Sequence, residues 1–297
     1  MSKLSPLASV SETRAVLQAH GLSTKYSLGQ NFLVNDGILQ KIVALAGLAP
    51  DDDVLEVGPG IGTLTIALLK HVGRVASVER DPDLPAVLAE TLAPWEGRFT
   101  LIEKDALDLA AEDVPFAPAK LVANLPYAVA ATVVLDYFER FASLESATVM
   151  VQKEVADRMA AEPGSKNYGA YTVKLRLHAR PAGRFAVGPG NFFPPPRVES
   201  AVLRLDRRPV CDDAGEPLDA AAVKAAATMA DAAFATRRKT IANSCKTYFA
   251  GRGEEGVRAT AALPQIFEAA GIDPRRRGET LDLAEFVRLA CAYQQAV

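Results

Sequence analysis

The chain has 297 residues, 49% of them hydrophobic, enough for one large domain with a sizeable core and a smaller domain beside it. It holds no run of about 18 or more apolar residues, which argues against a membrane span, and its start lacks a basic-then-apolar leader, which argues against export. The net charge of −3 argues against a nucleic-acid partner only until it is divided along the chain. Residues 36–120 hold 15 acids and 7 bases, a net of −8; residues 171–210 hold 8 bases and 2 acids, a net of +6; residues 236–252 hold 5 bases and no acid. Binding to a polyanion depends on the local field, so the two basic stretches outweigh the total.

Cys211, Cys245 and Cys291 are far apart and form neither metal spacing nor a disulfide framework, so no metal site is expected and a reducing, cytoplasmic location fits. His20, His71 and His178 are scattered, without ligand spacing.

In chain order, Ser9-Val10-Ser11-Glu12 is a capping-box pattern ahead of Val16 and Leu17, and predicts a helix within an N-terminal segment of about residues 1–30. Apolar runs then alternate with helical patterns. Strands are expected at Val54–Val57, Arg74–Val78, Phe99–Ile102, Leu121–Ala123 and Ala147–Val151, and helices at Thr63–Lys70, Leu84–Leu92 and Val129–Phe141. That order predicts an α/β fold with a doubly wound, mostly parallel sheet, whose ligands sit at the carboxyl ends of the strands. Gly58, Glu79, Asp105 and Asn124 fall at four consecutive strand ends.

Further on, Val173, Leu175 and Leu177 alternate with Lys174, Arg176 and His178, which suggests a strand, although the same run also fits a helix. A closing strand is expected over Val198–Leu205. The polar stretch Asp206–Pro217 marks the domain boundary, giving a catalytic domain over 1–208 and a small all-α domain over 209–297. Helical composition returns at Ala220–Phe234, Ile266–Ala270 and Leu281–Tyr293.

Two segments carry the chemistry. Gly58, Gly60 and Gly62 form a glycine-rich turn between strand and helix, where backbone can approach a ligand closely. Position 63 is Thr rather than the Gly of the dinucleotide fingerprint, and Pro59 sits inside the turn, so a pyrophosphate-binding reading is weakened. Glu79 can accept both hydroxyls of a ribose. Asp105 can accept from an adenine amino group, or else serves as a helix N-cap.

The second segment is Asn124-Leu125-Pro126-Tyr127. An aromatic ring amine is a poor nucleophile because its lone pair is delocalised. The Asn124 side-chain carbonyl and the Leu125 backbone carbonyl can accept its N–H groups and draw the nitrogen toward a tetrahedral geometry. Pro126 stiffens the loop, and Tyr127 offers a face on which a base can stack. With the glycine turn upstream, this points to methyl transfer onto the amino nitrogen of a base; without it, a turn with a packed tyrosine would be the better reading.

On these segments, with Ser27 to Leu33, Asn191 to Val198, Arg237-Arg238-Lys239-Thr240 and Glu279-Thr280-Leu281, the chain resembles the ribosomal RNA adenine dimethyltransferases, and within them the bacterial small-subunit (16S) branch. The resemblance covers about the whole chain. It implies a Rossmann-like, class I S-adenosylmethionine-dependent methyltransferase. The implied reaction is dimethylation of two adjacent adenines in the 3′-terminal hairpin of small-subunit rRNA. The implied setting is an immature 30S subunit in the cytoplasm, with the enzyme acting as a monomer. It adds Asn31 and Leu33 to the cofactor site, places Phe192 against the target base opposite Tyr127, and puts a helix near 169–178.

Arg237, Arg238, Lys239 and Lys246 are expected to lie along one helix and meet rRNA phosphates, since no carboxylate partner lies near them in sequence; domain packing is the alternative. Three rivals are weaker. A macrolide-resistance type of large-subunit methylase matches the basic run and Glu279-Thr280-Leu281 less well, a DNA adenine methylase would carry Pro where Leu125 stands, and a purely RNA-binding factor needs no cofactor turn.

Overall fold

Why the strands lie in the order they do follows from where the chain reverses its winding. The computed structural model describes residues 3–25 and 29–297. The first helix, α1 (Val10–Ala19), starts where expected, with the Ser9 hydroxyl accepting from the Glu12 N–H. A two-residue strand β1 (Phe32–Leu33) leads into α2 (Asp36–Ala46), capped by Asn35 and closed by Gly47 in the left-handed region at φ 59°. Next come β2 (Asp53–Val57), α3 (Thr63–Leu69), β3 (Arg74–Glu79), α4 (Leu84–Thr91) and β4 (Phe99–Glu103). They are followed by β5 (Lys120–Asn124), α5 (Ala130–Arg140), β6 (Ser146–Gln152) and α6 (Lys153–Met159).

The large sheet is completed by strands from later in the chain: β7 (Ala179–Val187) and β9 (Ser200–Arg207), with the short β8 (Phe192–Phe193) between them in sequence. The seven-stranded order is β4-β3-β2-β5-β6-β9-β7. The pairs β2–β3, β3–β4, β2–β5 and β5–β6 are parallel, and β6–β9 is antiparallel. Winding therefore runs one way from β2 to β4 and the other way from β5, so the switch point lies between β2 and β5. β1 and β8 pair antiparallel by themselves, Leu33 opposite Phe192.

The chain forms two compact units. One comprises residues 1–156 and 181–207, the other 157–180 and 208–297. The second unit takes up 157–180 as well as the residues from 208 onward, whereas the expectation drew one boundary at 208/209. Residues 157–180 hold α7 (Ala170–Arg176), so the strand suggested by alternation over Val173–Leu177 is corrected to a helix. Val173 and Leu177 enter the helical core and Leu175 is buried as well, while Lys174 pairs with Asp231 and Arg176 with Glu162. A helix covered on more than one side buries residues that mimic a two-residue period.

The second unit continues with α8 (Ala220–Phe234), α9 (Ile241–Phe249), α10 (Gly253–Ala269) and α11 (Leu283–Ala296). Asp219, Thr240 and Asp282 cap α8, α9 and α11, the last with Glu285 in a full capping box. Phe234 stacks on Phe286, and the Tyr168 hydroxyl donates to the Leu281 carbonyl at 2.9 Å, tying 157–180 to the later helices. Among the described residues no helix is long and apolar enough to cross a membrane.

Candidate active site

A cleft of about 720 Å³ opens at the carboxyl ends of β2, β3 and β5, at the switch point, and all its lining residues come from the first unit. Gly58, Gly60 and Gly62 turn the chain from β2 into α3 with φ of 71°, 60° and 88°. These values lie in the left-handed region, where a side chain is strained. A Cβ on Gly60 would also stand 3.0 Å from the Phe32 ring. Thr63, the departure from the dinucleotide fingerprint, lines the cleft with a buried hydroxyl that has no partner.

Glu79 ends β3 and lines the cleft. Its Oε1 accepts the N–H groups of Arg80 and Asp81 at 2.9 and 2.8 Å. Burial pushes its pKa above the ordinary carboxylate value, against the pull of these N–H groups and that of Gly60. Asp105 lines the cleft, and its Oδ1 caps the short 3₁₀ turn by accepting from the Leu107 N–H at 3.0 Å. Its Oδ2 meets Arg80 at 2.9 Å, and the Leu107 N–H together with Arg80 holds its pKa below the usual value.

Asn124 ends β5, and its Nδ2 donates to the Asn31 carbonyl at 3.1 Å, leaving Oδ1 as an acceptor. Leu125 is held by its N–H, which donates to the Met150 carbonyl at 3.0 Å. The Tyr127 hydroxyl is hydrogen-bonded to Ser200 Oγ at 2.7 Å. Burial raises the Tyr127 pKa, with the Ser200 bond opposing. Asn31, Leu33, Pro126 and Tyr127 line the cleft together with Gly58 and Asn124; Asn31 and Leu33 came from the resemblance alone. Ser27 and Leu28 lie outside the described residues.

Phe192 is corrected. It is 3% exposed, opposite Leu33 in the small sheet, and packs in the hydrophobic core instead of lining the cleft. Pairing through β8 turns its ring inward. The following segment, Pro194 to Val198, reaches the cleft instead, with Val198 45% exposed.

The basic run is corrected too. Arg237-Arg238-Lys239 occupies the turn between α8 and α9, and only Lys246 lies on a helix. Arg237 does have a carboxylate partner, Glu279 at 3.1 Å, from 42 residues away, and it also donates to the Lys166 carbonyl at 2.5 Å. Arg238 and Lys239 are exposed.

Two groups escaped the sequence reading. Asp81, 2% exposed, meets Lys25 Nζ at 2.5 Å and Gln30 Nε2 at 2.6 Å, fastening residues on both sides of 26–28 beside Glu79. Burial raises the Asp81 pKa, but Lys25, the Asp83 N–H and Gln30 outweigh it and hold the carboxyl low. Glu56, 1% exposed beneath the glycine turn, accepts from the Thr65 and Ser77 hydroxyls at 2.7 Å each. Burial still pushes its pKa to about 7.

The ribosomal RNA adenine dimethylase family model matches residues 21–288. A ribosomal RNA small subunit methyltransferase A from Rhodococcus erythropolis is 44% identical over 283 residues, 94% of this chain and 91% of that protein. The crystal structure of the 23S rRNA methyltransferase ErmE aligns with a TM-score of 0.66 and 26% identity, over 89% of this chain and all of its own. A dimethyladenosine transferase from Plasmodium falciparum aligns with a TM-score of 0.74, covering 89% of this chain and 98% of its own; at 22% identity this likeness speaks for the fold. With a family model and a relative of this identity spanning nearly its whole length, the chain belongs to the ribosomal RNA adenine dimethylase family.

Proposed function

We propose that the chain dimethylates N6 of two adjacent adenosines in the 3′-terminal hairpin loop of small-subunit (16S) rRNA, using S-adenosylmethionine, and so takes part in small-subunit maturation. The observation that carries this reading is Asn124, held at the switch point by the Asn31 carbonyl with its own Oδ1 left to accept. The cleft fits the cofactor: three left-handed glycines bring backbone close, Thr63 offers an unpartnered buried hydroxyl, and Glu79 and Asp105 present acceptors. Asn31, Leu33, Gly58, Gly60, Glu79, Asp105 and Asn124 would hold it. When bound, S-adenosylmethionine supplies an electrophilic methyl on a sulfonium sulfur.

The chain's own residues prepare the acceptor. Asn124 Oδ1 and the Leu125 carbonyl accept from the N6 amine and turn its lone pair toward the cleft. Pro126 keeps both carbonyls aimed, and Tyr127 stacks on the extruded base. No side chain needs to act as a strong base, because the amine loses its proton only as its nitrogen gains positive charge. The exposed Val198 at the cleft adds apolar surface for the base.

Arg238, Lys239 and Lys246 meet rRNA phosphates, which position the substrate without reading its sequence; Arg237 contributes less, being tied to Glu279. The substrate is the rRNA within an immature 30S subunit in the cytoplasm, and the enzyme acts as a monomer. Mass spectrometry of small- and large-subunit rRNA from cells with and without the chain tests the proposal. Paired dimethyladenosines that vanish from the small-subunit 3′ hairpin on deletion support it; loss confined to large-subunit rRNA, or no loss, overturns it.

A further inference from the structure

Tyr127 sits on a loop, and a ring that serves as a stacking platform must keep its place while leaving its face open. Packing alone leaves a half-buried ring free to swing about χ1. What stops the swing here is at the far end of the ring: the hydroxyl lies 2.7 Å from Ser200 Oγ. Ser200 is fully buried and opens β9, paired with Gln152 at the end of β6. β9 lies inside the sheet between β6 and β7, and Ser200 is held there by its pairing with Gln152. It also follows directly on the proline-rich segment 194–198 that lines the cleft. One hydrogen bond thus ties the Asn-Leu-Pro-Tyr loop to the strand that ends the opposite lining segment in sequence. A buried hydroxyl left unmatched is costly, so each of these two supplies what the other needs.

We propose that Ser200 is a positioning residue for the methyl transfer, anchoring the Tyr127 ring against swinging about χ1 so that the extruded adenine stacks with N6 at Asn124. The inference rests on the reading above in which Tyr127 stacks on the target base. It assigns the tyrosine hydroxyl a role as an anchor, distinct from the role of the ring.

The test uses the full chain and immature 30S particles whose 3′-terminal rRNA hairpin carries either adenosines or 2-aminopurine at the target positions. Ser200→Ala, Tyr127→Phe and the double variant are compared with the wild type. Each single change is expected to lower kcat about five- to tenfold, the scale of one hydrogen bond. KM for RNA and the dissociation constant for S-adenosylmethionine stay unchanged, and the double variant loses no more than either single. In the complex, the 2-aminopurine lifetime is single in the wild type and heterogeneous in both singles, a signature that a general loosening of the fold would not confine to the base. Wild-type kcat and lifetimes in Ser200→Ala overturn the assignment, as do losses that add in the double variant. A wild-type protein that methylates no rRNA overturns the parent reading, and this one with it.

Discussion

Asn124 donates its Nδ2 hydrogen to the backbone carbonyl of Asn31, 93 residues away, at 3.1 Å. The bond fixes which end of the carboxamide faces the cleft, and it joins the amine-binding group to a residue proposed to hold the cofactor. Asn124→Ala is expected to abolish most turnover while RNA affinity is largely kept. Asn124→Asp should do more: it sets a charged oxygen against the Asn31 carbonyl, so cofactor affinity should fall as well. Calorimetry with S-adenosylmethionine separates the two, and equal affinities in both variants would argue that the Asn31 contact has no bearing on the cofactor.

Glu79 is the expected acceptor for the cofactor ribose. Glu79→Ala should weaken S-adenosylmethionine binding by roughly 1.5–3 kcal/mol, the range for hydrogen bonds to charged groups. Because Glu79 also accepts from the Arg80 and Asp81 N–H groups, a small drop in Tm should accompany the loss. Unchanged affinity by calorimetry would remove Glu79 from the ribose site.

Glu56 predicts a pH dependence of stability. Its folded pKa of about 7 lies above the ordinary value of 4.5, so the folded state binds its proton more tightly than the unfolded state does. Its contribution is therefore fully present below about pH 4.5 and is lost as pH rises through 7. Relative to Glu56→Gln, the wild type should gain roughly 3 kcal/mol of unfolding free energy between pH 7.5 and pH 4.5, at about 1.4 kcal/mol per pKa unit. Urea titrations of both proteins across that range check it; parallel curves would mean that Glu56 titrates as an ordinary carboxyl.

The basic turn should divide by residue. Arg238→Ala and Lys239→Ala should each lower the log–log salt slope of RNA binding by up to about 0.7–0.9, one phosphate contact apiece. Arg237→Ala should change that slope least and instead lower stability by at most about 1 kcal/mol, since its pair with Glu279 is half exposed. Salt titrations of the three variants decide it; a larger slope change for Arg237 than for Arg238 would reverse the assignment.

The parallel half of the sheet was readable because β2, β3, β5 and β6 are buried along most of their length and so appear as short apolar runs, and the less buried edge strand β4 still shows Phe99, Leu101 and Ile102, with a glycine or polar residue ending or following each strand toward the cleft. Gly58, Glu79, Asp105 and Asn124 could be placed without a structure for that reason. Phe192 could not: whether a ring at the mouth of a cleft faces in or out is decided by its pairing with Leu33, a partner 159 positions away. The Glu279 partner of Arg237 was hidden in the same way, as was Ser200, whose hydroxyl has meaning only once β9 lies beside β6. Alternation over Val173–Leu177 misled because periodicity reports how many sides of an element are covered, and a helix covered on two sides imitates a strand.

The passage of residues 157–180 into the helical unit, before β7 and β9 return to the sheet, has a consequence for synthesis. The ribosome has made everything the sheet needs by Arg207, whereas α7 is made early and its partners α8 and α11 only later. Until α8 and α11 have been made and have emerged, a nascent chain whose sheet strands are complete carries α7 without the helices that cover it. A gene truncated after Arg207 would freeze that condition, so the catalytic half should be recovered in soluble form only when 157–180 is replaced by a polar linker.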